Sequence, residues 1–102
     1  MATNEDLLAA VRQHLRLTWD DADRDTRLID LIDDGKTYFC RLAGQEELTF
    51  DPGEPERELL LNYVWYGDAG RLDEFEELYI GRLNGFQMDK VVENAQATET
   101  DP

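Results

Sequence analysis

Between Asp21 and Gly44 the chain has no proline, and its apolar residues recur at helical spacing, so this stretch is constrained to form one long helix. Leu28, Leu31, Ile32, Gly35, Tyr38, Phe39 and Leu42 fall on one stripe. Asp30, Asp33, Asp34, Lys36, Thr37 and Arg41 fill the other side. Asp20, Asp21 and Asp23 crowd the start, where carboxylates favour the positive end of the helix dipole. Gly44 is placed for a left-handed C-terminal cap. Gly35, in mid-helix, costs roughly 1 kcal/mol against alanine. It is read either as the close approach of a second helix or as a tolerated loss.

The rest of the chain must pack around that helix. With 102 residues it suffices for one domain and a modest core. A formal charge of −14 makes naked nucleic acid and anionic membranes poor partners, because phosphate binding needs clustered Lys and Arg. Basic partners fit such a surface better, as does a role that requires not sticking to DNA. The aromatic content argues against a disordered acidic tail. Cys40 is the single cysteine, so no internal disulfide can form, and it reads as a small buried hydrophobe. The N-terminus lacks a signal-peptide pattern and no apolar run is long enough to span a membrane, so a reducing, soluble compartment is expected.

Three more helices are expected. Thr3 or Asn4 caps the first, with Leu7, Leu8, Val11 and Leu15 on one face and His14 near its end. Trp19 follows, either packed at the junction with the long helix or exposed as an anchor for a partner. Residues 45–54 form an irregular loop in which Leu48 and Phe50 alternate and Pro52-Gly53 turns. Pro55 opens a helix over Pro55–Tyr66, apolar nearly all round and so the most buried, which Gly67-Asp68-Ala69-Gly70 breaks. The last helix runs from Arg71 to Leu83, ended by Asn84-Gly85. Phe86–Val92 reads as a short strand or an adaptable segment, and 93–102 as disordered.

The fold class is therefore all-α: a small bundle of about four helices, one of them long, with a loop at 45–54 and a flexible C-terminal arm. Residues 1–85 make the helical domain and 86–102 the arm. Leu28, Ile32, Phe39, Leu42, Leu60, Tyr63, Val64, Phe75 and Tyr79 are the expected core.

No catalytic pattern emerges. The one His and one Cys are not set as a nucleophile and base, and there is no phosphate-cradling glycine loop, CxxC or HExxH. Asp21, Asp23 and Asp25 have the spacing that opens a calcium loop, but Thr26 and Ile32 stand where that loop needs Gly and Glu. Neither an enzyme, a cofactor nor a metal is expected.

The segments LLAAVRQHLRLTWDDADRDTRL, LIDLIDDGKTYFCRLAG and RELLLNYVWYGDAGRLDEFEELYIGRLNG carry a resemblance. Trp19-Asp20-Asp21, Ile32, Gly35, Leu42-Ala43-Gly44, the run Arg57–Tyr63 and Leu72-Asp73-Glu74-Phe75 are its particular points. From about Glu5 to Leu83 the chain is similar to the small head–tail connector (adaptor) proteins of tailed bacteriophages; beyond Gly85 the pattern has no counterpart. The resemblance implies a structural subunit, assembled in the host cytoplasm, that sits at the head–tail interface of the virion. Such subunits dock on the portal protein as a homo-oligomeric ring, about twelve-fold, each touching the next through unlike surfaces. The ring extends the DNA channel and provides the platform for a tail or stopper protein, and DNA passes through without specific binding.

Within that role Asp23, Asp30, Asp33 and Asp34 are candidates for a channel-facing surface that repels phosphate, the plainer reading being a solvated face. Phe86, Met88, Val91 and Val92 are candidates for contact with the portal or a neighbouring subunit, the plainer reading being a floppy terminus. Subunits of charge −14 repel one another, so the free protein is expected as a monomer or small oligomer, with the ring forming on the portal template. Two rivals remain open: an acidic DNA mimic that inhibits a nucleic-acid-binding protein, and an acidic antitoxin-like helical adaptor.

Overall fold

The computed structural model describes residues 2–16 and 22–99, the side chains of 94–99 excepted. Four helices follow in order: α1 (Asn4–His14), α2 (Ala22–Ala43), α3 (Pro55–Asp68) and α4 (Leu72–Glu99). The described residues contain no strand, and the molecule is a small all-α bundle. Trp19, Asp20 and Asp21 lie outside the described residues.

Local chemistry sets the helix ends. Thr3 caps α1: its Oγ1 accepts from the Asp6 N–H at 3.1 Å, and the Asp6 carboxylate accepts back from the Thr3 N–H at 3.4 Å. The long helix stops at Gly44, which takes a positive φ of 68°. The Gln45 N–H then reaches the Cys40 carbonyl and the Gly44 N–H that of Arg41, a Schellman closure. Gly70 closes α3 the same way, with Arg71 donating to Tyr66 and Gly70 to Gly67.

In the centre of the fold α2 and α3 approach closely. A Cβ on Gly35 would overlap Leu60 and lie 3.0 Å from Tyr63 Cδ1, so the close-approach reading of this glycine is the one the structure bears out. Gly67 answers it from α3: a Cβ there would sit 2.7 Å from Leu31 Cδ2. That packing keeps Gly67 and Asp68 helical, so α3 does not break after Tyr66 as its glycines suggest. Nor is α3 buried all round, since Trp65 is exposed. It does touch each of the other helices.

The loop at 45–54 closes one end. Leu48 and Phe50 are buried there, and the Ala2 N–H donates to the Thr49 carbonyl at 2.8 Å. Phe50 is held at a positive φ of 54°, its ring in the core and its carbonyl accepting from Arg57 at 3.0 Å.

The C-terminal region departs from expectation. Asn84-Gly85 does not end the fourth helix, and 86–92 is neither a strand nor a loose arm; α4 continues to Glu99. Phe75, Leu83, Phe86 and Lys90 are all buried, with the half-buried Tyr79 between them, at intervals of three or four. Burying Phe86 along this stripe outweighs the roughly 1 kcal/mol that an interior glycine costs. Phe86 therefore belongs to the core, its ring centroid 6.0 Å from Phe39, rather than to a docking arm. Of the expected core, Leu28, Ile32, Phe39, Leu60, Tyr63, Val64 and Phe75 are buried, while Leu42 and Tyr79 pack half-buried at its edge.

The two kinds of mid-helix glycine predict opposite effects. Gly35→Val should destabilise by roughly 1–3 kcal/mol through overpacking. Gly85→Ala, in open space, should stabilise by roughly 1 kcal/mol. Urea unfolding of dilute protein measures both.

Candidate functional site

The acidic residues of α2 do not form one wall. Asp23, Asp30 and Asp34 share a stripe, but Arg27 and Arg41 fall on it too, leaving three carboxylates against two guanidiniums. Asp33 points elsewhere and joins the α1–α2 junction. It accepts from Asn4 Nδ2 at 2.9 Å, and Asn4 Oδ1 accepts from Lys36 Nζ at 2.6 Å. Charge on α2 is also tied into the fold: Arg12 holds Asp25 at 2.7 Å, and Arg24 holds Asp68 at 2.8 Å.

The outward face of α4 is different in kind. Leu78 and Met88 are 66% and 63% exposed, and Ile80, Val91 and Val92 are about half exposed. Leu78, Gly81, Gly85, Met88 and Val92 repeat at intervals of three and four, the pattern of a helix–helix seam. Beyond the adjoining residues and backbone of α4 itself, neither glycine on that seam has any atom within 4 Å of where a Cβ would lie. Nothing within the described fold uses these residues. Of the four candidate contact residues, Met88, Val91 and Val92 lie on or beside this face and Phe86 on the opposite one. The spacing is present in the sequence, but Asn84-Gly85 reads locally as a stop and hides it.

A buried ion pair holds that face in position. Glu56, from the first turn of α3, is 1% exposed and Lys90 of α4 is 7% exposed. Lys90 Nζ lies 3.3 Å from Glu56 Oε1, at ion-pair range but off hydrogen-bond alignment. Glu93 at 3.4 Å and Glu54 at 3.9 Å complete the cage. Burial acts to lower the pKa of Lys90, and the facing carboxylates of Glu56 and Glu93 more than offset it, so the ammonium titrates above its ordinary value.

Burial pushes the Cys40 thiol up, against a backbone hydrogen bond at Leu48 that pulls it down, which is opposite to an activated nucleophile. This thiol lines a groove of about 570 Å³ between α2 and the 45–50 segment, together with Lys36, Leu48 and Phe50. His14 is exposed and meets Trp65 edge-on at 6.5 Å. Among the described residues no group of three or more His, Cys, Asp or Glu is placed to hold a metal, and no helix is long and apolar enough to cross a membrane.

Comparison with protein-family models, with curated proteins and with solved structures finds no match to this chain. The functional reading therefore rests on the chain itself.

Breaking the buried pair from one side should be severe. Lys90→Met strands the Glu56 carboxylate and is expected to cost about 3–5 kcal/mol, whereas Lys90→Met with Glu56→Leu should recover most of it. Urea unfolding at neutral pH reads both. Because the folded pKa of Lys90 is raised, its contribution is full below the unfolded value of about 10.4 and fades as pH rises through the folded one.

Proposed function

We propose that the chain is a structural head–tail connector subunit of a tailed bacteriophage. It docks on the portal as a ring, extends the DNA channel at the head–tail interface, and offers a platform to a tail or stopper protein. The reading draws on the connector-like segments, whose described residues lie mainly in α1, α2 with its Gly44 cap, α3 and the first half of α4. The observation that carries it is the α4 face. A chain of charge −14 that leaves one helix face apolar and uncovered is suited to being docked rather than to binding a small molecule. Met88, Val91 and Val92 are the residues to meet the portal or the neighbouring subunit.

For the channel wall, Asp23, Asp30 and Asp34 are retained as its acidic groups and Asp33 is given a structural role. The same mixture of charges on α2 disfavours the DNA-mimic rival, which needs unbroken rows of carboxylates at phosphate-like spacing.

Sedimentation of the protein alone, and then with the portal protein from the same genome, tests the reading. A small species alone that joins the portal at matched stoichiometry is the expected result. A ring that forms without the portal and persists at any salt concentration would overturn templated assembly. Indifference to the portal, with capture of a basic nucleic-acid enzyme instead, would replace the connector with the mimic.

A further inference from the structure

We propose that two copies of the free chain pair antiparallel through the outward face of α4. The argument starts from the uncovered seam of Leu78, Gly81, Gly85, Met88 and Val92, which this fold leaves to water. A helix exposing Leu78 and Met88 while holding two glycines in open space gains nothing from either within one copy. Both are accounted for if a second helix lies along them.

Size and charge select the second copy and its direction. With a two-fold axis passing near Phe86 and Gln87, layers of the seam pair large with small: Gly85 meets the partner's Met88, and Gly81 meets the partner's Val92. Arg82, which lies 3.3 Å from Glu58 of its own copy and would be shared, and Asp89 flank the seam on the same side, one on each side of the axis along the helix. The antiparallel arrangement sets each Arg82 beside the partner's Asp89, twice by symmetry. A parallel two-fold arrangement would carry the two copies of these residues to opposite sides of the seam and form no such pair. Within residues 78–92 the only acid is Asp89, and Arg82 balances it, so this stretch of a strongly acidic chain tolerates a second copy.

The seam spans 15 residues, a length of about 22 Å. Two such faces bury less than the ~1,200–2,000 Å² of a standard stable complex, so the pair forms and dissociates with concentration. It is a like-to-like contact that closes on itself, distinct from the unlike contacts of a ring. The pairing does not rest on the connector reading, and its test contains no portal.

Sedimentation equilibrium over a wide concentration range decides it, using the intact chain and three variants. The wild type should show a reversible monomer–dimer equilibrium. Met88→Glu, at an exposed position, should abolish the dimer. Asp89→Arg should weaken it about tenfold by turning two attractive pairs repulsive. Adding Arg82→Asp to Asp89→Arg should restore dimerisation toward wild type. A wild type that stays monomeric to about 1 mM, a dimer indifferent to Met88→Glu, or a double variant no better than Asp89→Arg alone would each overturn the proposal.

Discussion

The structure depends on how closely α2 can approach α3. Gly35 admits Leu60 and Tyr63, and Gly67 admits Leu31, so each helix gives up a side chain where the other projects one. As the contact moves from Gly35 back to Leu31 on α2, it moves from Tyr63 on to Gly67 on α3. The two helices therefore run antiparallel, and the Arg24–Asp68 pair extends the contact by a further turn and more. This approach brings Phe39 and Tyr63 to a centroid distance of 5.9 Å, and Phe75 of α4 completes the group at 5.6 Å from Tyr63. A wider spacing would open a void beneath α4, and a void forfeits both burial and dispersion contacts.

The position of α4 is set by a second constraint of another kind. The chain has only two lysines, and it buries one of them. Removing Lys90 and Glu56 from water is unfavourable, and an apolar pair of similar size would hold the helix at least as well. An ion pair, unlike an apolar contact, is specific about register. If α4 slid along the core, the ammonium and the carboxylate would each be buried alone. The pair thus ties one rotation of α4 to the core, and that rotation turns Leu78, Met88 and Val92 outward.

Much of this was legible from local pattern. The spacing of Leu28, Ile32 and Phe39 set the buried face of α2, and Gly44 its end, because periodicity and capping act within one or two turns. Tyr63, Val64 and Phe75 were equally readable. The end of α4 was not. Asn84-Gly85 is a stop signal in isolation, and only the distant partners of Phe86 and Lys90, on α2 and α3, override it. The Glu56–Lys90 pair was invisible for the same reason, since its members stand 34 positions apart among many exposed charges. At the candidate surfaces, composition marked α2 as acidic but did not show Arg27 and Arg41 sharing its stripe. Reading 86–92 as an arm placed Phe86 with Met88, although the helix sends them to opposite sides.

The high charge and the apolar seam are complementary features. An uncovered stripe of Leu, Met and Val on a neutral protein invites association in many orientations. On a chain of −14 most approaches bring carboxylates together, and only those that align the seam while keeping the acids apart are tolerated. Charge here acts as a filter on geometry. A two-fold pair satisfies the filter by placing Arg82 beside Asp89. A ring would satisfy it differently, with α4 meeting an unlike surface on the portal or the next subunit. The two uses of the face exclude each other, so in the connector reading the portal must offer α4 more than a second copy does. A weak, self-closing pair then keeps the seam covered without competing seriously with assembly, because a short seam gives up little when it is exchanged for a larger interface.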